Sequence, residues 1–248
     1  MSKIFVFLGL FLYIMLQPCF PQEAIELEKI VVTPSRIEQR EGDLSQNVSV
    51  ITSDDIEEGA IFGLDEALDM LPSVDVWEQG SLGATKSLHI RGVTSEQVLV
   101  LVDGRPLNTP RDAFADLNEI SLGNVERIEV LRGPASSMYG SNAVGGVVNV
   151  ITKRGTDESG TTLTTKFGSF ATKNVMFSHG NKLKNFDYFI SYDYISSHGH
   201  RDNSDYLAHT LDAKLGYELS EEHDVTFSTG YYDSQAGTPA TVDSQDLD

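Results

Sequence analysis

The chain has 248 residues with 18 basic and 37 acidic side chains, a net charge of −19. Clustered Lys and Arg, which phosphate binding requires, are missing, so a nucleic-acid partner is excluded. Cys19 is the single cysteine, which rules out a disulfide framework or a thiolate metal site, and the acidic balance serves solubility or a cationic or metal-bearing ligand.

Lys3 precedes an apolar run from Ile4 to Leu16 that Gln17 and Pro18 end. The run is too short for a bilayer-spanning helix, which needs about 20 residues. A basic residue followed by a short apolar segment is the pattern of an export signal, so residues 1–22 are expected to be a signal peptide. An N-terminal anchor or a buried helix is the competing reading. Residues 23–41 are polar and without sustained periodicity, and are expected to be a mobile N-terminal segment. Within it Ile30-Val-Val-Thr33 is β-prone and Pro34 limits it.

A mixed α and β pattern occupies residues 42–155. Val48–Thr52 reads as a strand and Ser53–Glu57 as a short helix with Ser53 as N-cap. Leu64, Ala67, Leu68 and Leu71 recur at helical spacing, and Pro72 stops the helix. Strands follow at Val74–Glu78, Ser87–Arg91, Gln97–Val102, Val125–Leu131 and Val147–Thr152, with a turn at Asp103-Gly-Arg-Pro106. Trp77 reads as a packed strand residue rather than a stacking platform. Pro134 suits the opening of one helical turn, and Gly145-Gly146 permits close backbone approach before the last strand.

From residue 156 the texture changes. Phe186, Tyr188, Ile190, Tyr192 and Tyr194 alternate with residues that include Asp187, Ser191 and Asp193, and similar alternation recurs over Leu211–Leu219 and Val225–Tyr232. Period 2 sustained over about 10 aromatic-rich residues is the signature of a transmembrane β-barrel. Strands of a soluble sandwich average about 5–6 residues. Five strands are expected near Thr161–Gly168, Thr172–Gly180, Asn185–Ser196, Leu207–Leu219 and Asp224–Ser234. Their connections alternate in length, with the second and fourth short, as periplasmic turns are.

Several segments together resemble the TonB-dependent outer-membrane receptors. These are Leu131-Arg-Gly-Pro134 through Tyr139-Gly140 to Thr152, Leu68-Asp-Met-Leu-Pro72, Leu88-His-Ile-Arg-Gly92 and Val98-Leu-Val-Leu-Val-Asp-Gly-Arg-Pro-Leu107. The resemblance implies an α+β plug domain at 42–155, followed by the first five or so antiparallel strands of a transmembrane β-barrel over 156–248. In that likeness Glu28–Arg36 corresponds to the TonB box, with Ile30, Val31, Val32 and Thr33 as the segment TonB takes by strand addition. Arg91 and Arg132 correspond to arginines that pair with carboxylates across plug and wall, a duty that a bidentate, permanently charged group suits.

The outward plug loops Glu78–Thr85 and Arg105–Ala113 are expected to meet ligand through Gln79, Ser81, Thr85, Arg105, Asn108 and Arg111. The expected partners are TonB with its inner-membrane energising complex, outer-membrane lipid and a small-molecule ligand. No cofactor is expected; the transported ligand is an iron chelate, as in siderophore uptake, or a cobalamin, toward which Val74–Ser81 and Arg91–Gly104 lean slightly. His198, His200, Asp202 and Asp205 form a polar loop, which is preferred over a metal site. No nucleophile elbow, phosphate-binding loop or His-Glu-x-x-His pattern is present, so no catalysis is expected.

Plugged transporters have about 22 strands, so five strands and the polar tail Asp243–Asp248 point to a fragment or a truncated product. The alternative function is a plug-only periplasmic module that binds or signals without transport.

Overall fold

The structure, a computed structural model, describes residues 30–31, 39–40, 48–78, 80–108, 114–156, 159–220 and 222–239. Strands β1 (Ile30–Val31) and β2 (Gln39–Arg40) pair antiparallel, Ile30 opposite Arg40. The rest forms a mixed α/β domain and a separate five-stranded sheet.

In the mixed domain β3 (Val48–Thr52) leads directly into α1 (Ser53–Glu58). The N-cap is Thr52 rather than the expected Ser53. Its Oγ1 accepts the Asp55 N–H at 3.2 Å, and its own N–H donates to Asp55 Oδ2 at 2.8 Å. An acidic side chain three residues on closes this reciprocal box only if Thr52 holds the cap position. Helix α2 (Leu64–Asp69) buries Leu64, Ala67 and Leu68. It ends two residues short of the predicted Leu71, ahead of Pro72.

Next come β4 (Val74–Glu78), β5 (Lys86–Ile90), β6 (Val98–Val102), β7 (Arg105–Pro106), β8 (Val125–Arg132), the single turn α3 (Ser136–Tyr139) and β9 (Gly146–Thr152). The main sheet has the order β3-β8-β9-β6-β7, and only β6 and β9 run parallel. Strand β6, Val98-Leu-Val-Leu-Val102, is apolar throughout because both sheet faces are covered. One face packs Ile51, Ile128, Val130, Val148 and Val150 with α2, and the other joins Leu99, Leu101, Leu131 and Val147 to Ala135 beside α3.

Strands β4 and β5 form their own hairpin. Val74 and Val76 face the core, so strand alternation sends Trp77 outward. Trp77 is 64% exposed and stacks on His89 with ring centroids 4.4 Å apart. The expectation of a packed Trp77 is thereby corrected.

The second sheet is a meander of β10 (Gly160–Phe167), β11 (Lys173–Leu183), β12 (Phe186–Ser197), β13 (Tyr206–Ser220) and β14 (His223–Ala236), each paired antiparallel with the next. These bounds lie close to those read from the alternation. One face exposes Leu163, Phe177, Ile190, Tyr192, Leu211, Tyr217, Phe227 and Tyr231. The other buries Asn174, Ser178, Asp187, Ser191 and Thr210 against the mixed domain. Apolar outside and polar inside inverts a water-soluble sheet and matches a barrel wall.

Two outward histidines are satisfied locally. His179 shares hydrogen bonds with Thr161 Oγ1 and Tyr188 Oη, and His209 with Tyr192 Oη. Among the described residues no helix is long and apolar enough to cross a membrane.

The sole tryptophan, Trp77, reports on the mixed domain. Leu68→Ala, at a fully buried site, is expected to cost that domain about 2–5 kcal/mol. Leu211→Ala on the exposed face is expected to leave it within about 0.5 kcal/mol of the parent. Urea titration followed by Trp77 emission separates the two.

Candidate functional site at the domain–wall boundary

The boundary is polar on both sides. At its centre Asp103, in the turn after β6, has a left-handed φ of 49° and faces the end of β9. Its carboxylate accepts the Thr152 N–H at 2.9 Å and the Thr152 hydroxyl at 2.6 Å. Lys214, an inward residue of β13, reaches the same place. Its ammonium is 3.0 Å from Asp103 Oδ2 and donates to Thr152 O at 3.0 Å and Thr152 Oγ1 at 2.9 Å.

Where the chain leaves the mixed domain, Arg154 clamps it to the wall. Its guanidinium reaches Asp187 Oδ2 of β12 at 2.8 Å and Asp224 Oδ2 of β14 at 2.9 Å. The Asp187 hydrogen bond raises the Arg154 pKa further. Both contacts cross β13 at Gly216. A Cβ there would lie 2.2 Å from Asp187 Oδ2 and 2.3 Å from Arg154 Nη2, so only glycine leaves room for the pair.

Further along, Ser121 donates to Asp193 Oδ2 of β12 at 2.8 Å, and Asn174 of β11 donates to the other Asp193 oxygen. Lys166 of β10 donates to the Ile61 carbonyl and lies 5.5 Å from the centre of the Phe62 ring. The loop between β4 and β5 rests on the wall through Gly83, whose φ is +85°. A Cβ on Gly83 would lie 2.1 Å from the Tyr206 ring, and Tyr206 is tied to Tyr232 by a 3.1 Å hydroxyl contact.

A cavity of about 560 Å³ opens between the domain and β13–β14. Asp103, Arg105, Glu119 and Asn124 line it from the domain, and Thr210, Asp212 and Lys214 from the wall. Burial, with Asp116 nearby, pushes the Glu119 carboxyl above its ordinary pKa.

The residues singled out in the sequence are distributed unevenly around this boundary. Arg105 lines the cavity, and Thr85 is exposed in the Gly83 loop. Ser81 is buried, with no hydrogen-bond partner for its Oγ among the described residues. Asn108 serves the sheet: its Oδ1 accepts the Val100 N–H at 2.9 Å and its Nδ2 donates to Val98 O at 3.2 Å. Arg132 donates to Pro72 O and Ser49 Oγ, both within the mixed domain. Arg91 is exposed at a left-handed φ of 53°. Ile30 and Val31 lie in the β1–β2 pair, whereas Val32, Thr33, Gln79, Arg111 and the signal segment fall outside the described residues.

The cross-boundary ion pairs described here use Arg154 and Lys214, which sequence reading passed over. A signal existed for Lys214, Asp187 and Asp193: each is charged on the inward phase of an otherwise amphipathic strand. Among the described residues no group of three or more His, Cys, Asp or Glu side chains is placed to hold a metal.

A mixed α/β domain held by polar contacts against the inner face of outward-apolar strands is the beginning of a plugged β-barrel. Residues 40–147 match the sequence model of the TonB-dependent receptor plug domain. Over these residues the chain is similar to the plug domain of the TonB-dependent receptors, and antiparallel strands of a partial barrel follow it.

It is 40% identical over 158 residues to the vitamin B12 transporter BtuB of Vibrio cholerae, an alignment covering 64% of this chain and 26% of that protein. Its fold is similar to the ferripyoverdine receptor of the Pseudomonas aeruginosa outer membrane, with a TM-score of 0.72 at 18% identity, covering 83% of this chain and 27% of that one. The siderophore receptor PirA of Acinetobacter baumannii matches with a TM-score of 0.64 at 26% identity, over 75% of this chain and 31% of that one. The chain thus spans about a quarter of the length of the curated relatives it matches. These relatives are named as transporters and receptors, not enzymes.

Gly216→Ala is expected to break the Arg154–Asp187 pair and free the segment that leaves the plug. Limited trypsin digestion after Lys153 and Arg154 should then separate plug from wall at least several-fold faster than in the parent. An unchanged cleavage rate would mean the clamp does not hold this segment.

Proposed function

We propose that the chain is the plug and first wall strands of an outer-membrane receptor that imports an iron-siderophore or cobalamin-type ligand. The observation that supports this most is the plug itself. A domain with its own apolar core sits on the polar face of the wall, held by side-chain hydrogen bonds and ion pairs that can be exchanged without exposing that core.

Such a domain can block a lumen and still move. The barrel has no energy source of its own, so work must come from a partner reaching in from the periplasm. Ile30-Val-Val-Thr33 suits that contact, since β-branched residues favour extension and an extended segment can add to a partner's exposed sheet edge. Ligand would approach from outside, against the Glu78–Thr85 and Arg105–Ala113 loops. The relatedness to a vitamin B12 transporter supports the cobalamin side of the ligand class, and the likeness to siderophore receptors supports the iron-chelate side.

Deleting Glu28–Arg36 tests the coupling. With cyanocobalamin and a ferric siderophore as separate probes, the deleted receptor is expected to keep surface binding of its ligand and lose energised uptake. Uptake at the parental rate would sink the TonB-coupled reading.

A further inference from the structure

The loop between β4 and β5 lies at one end of the wall. Its Gly83 rests on Tyr206, the residue that opens β13. That end of β13 follows the connection 198–205, whereas its other end turns through 221–222 alone. Long connections are the extracellular ones in an outer-membrane barrel, so the loop is at the outward mouth.

A surface loop is by default the mobile part of a domain, but this one is held at successive points. Ser81 O accepts the Ala84 N–H at 2.8 Å, and Gly83 has a φ of +85°. That is a type II turn with glycine where a positive φ is required. Asn118, in the 3₁₀ turn Leu117–Glu119, then donates from Nδ2 to the Ala84 carbonyl at 3.1 Å. The other N–H of that amide goes to Asp116 Oδ1 at 2.9 Å, and Asp116 Oδ1 also accepts the Asn118 backbone N–H at 3.0 Å. Asp116 therefore aims the amide at the loop. Two residues beyond Ala84, the Lys86 side chain is buried, with its ammonium 2.7 Å from Asp65 Oδ2 on α2.

Thr85 stands exposed between these two fixed residues, whereas Ser81 is buried and turned away from the mouth. We propose that Asn118 is a positioning residue for ligand recognition. With the Lys86–Asp65 pair it holds the loop in one shape before ligand arrives, so that the Thr85 hydroxyl is presented as a fixed hydrogen-bonding contact for the polar rim of the ligand. The recognition role rests on the import reading above; the fixing of the loop does not. The gain is preorganisation: a loop already ordered loses little freedom on binding, and that loss is what weakens a flexible site. Asn suits the place because its amide carries two donors, one for Asp116 and one for Ala84 O.

Cys19 is the single native cysteine, so a nitroxide can be placed selectively. In a Cys19→Ser background, Thr85→Cys reports from the loop and Asp75→Cys, exposed on β4 of the same hairpin, is the control. Spectra are recorded on the full receptor in lipid vesicles, without ligand. Asn118→Ala is expected to raise nitroxide mobility at residue 85 several-fold and to leave residue 75 unchanged. Asn118→Asp, which keeps the side-chain volume but has no donor for Ala84 O, should do the same.

With Thr85 native, energised uptake of cyanocobalamin and of a ferric siderophore is measured against concentration. For the probe that the parent takes up, Asn118→Ala is expected to raise the half-saturating concentration roughly tenfold with the maximal rate at the parental value. A plug that is merely damaged would lower the maximal rate instead, and that result would overturn the positioning role. No gain of mobility at residue 85, or an equal gain at both reporters, would overturn the fixing of the loop by Asn118. Mobility gained with half-saturation unchanged would overturn its role in recognition. Uptake of neither probe by the parent would remove the import reading, and the spectra alone would then decide whether Asn118 holds the loop.

Discussion

The wall strands must show apolar side chains outward, because a strand that faces hydrocarbon cannot carry unsatisfied polar groups there. With a period of two, the same strands show their polar side chains inward, and the way the plug is attached follows from this. The inner face offers an apolar plug surface only a few apolar partners, Phe189, Tyr206 and Ala208 among them. The structure uses carboxylates, amides, hydroxyls and ammonium groups instead, at Asp187, Asp193, Asn174, Thr210 and Lys214. The plug accordingly keeps its apolar residues for itself, in clusters on the two faces of its own sheet.

That division sets the energetics of any motion. Separating plug from wall exchanges hydrogen bonds and ion pairs for water, and each such exchange nets only about 0.5–1.5 kcal/mol for neutral groups and somewhat more for charged ones. Disrupting the core would cost several kcal/mol per large side chain. A pull transmitted to the plug therefore meets weaker resistance at the boundary than within the domain. Arg154 is the exception, since it binds two wall strands at once over Gly216. It lies where the plug chain becomes wall, a place that must stay attached whatever the plug does.

The β4–β5 loop and the segment after β7 are constrained in different ways. The β4–β5 loop is laid on Tyr206 through Gly83, so its shape depends on the wall. The segment after β7 is pinned at Asn108 to the edge of the plug sheet. Trp77 and His89, stacked on the outer face of the β4–β5 hairpin, place an exposed aromatic surface next to the first of these loops.

Local pattern alone was enough to determine most elements of this protein. The alternation in Phe186–Tyr194, Leu211–Leu219 and Val225–Tyr232 placed the wall strands, because a strand between oil and water has no freedom to break its period. Leu64, Ala67 and Leu68 placed α2 in the same way. The cap at Thr52 was misplaced by one residue because it depends on which partner Asp55 chooses. Trp77 was misjudged because a single aromatic residue does not declare which face of its strand is covered.

The contacts of the site belonged to the tertiary structure. Lys214 and Asp103 lie 111 positions apart, and Arg154 meets Asp224 across 70; no spacing rule links them. Arg91 and Arg132 stood out in sequence through likeness to a motif, yet the described bonds of Arg132 stay inside the plug. Periodicity tells a strand which face is polar, but only the docking of one sheet against another decides which polar groups on that face meet.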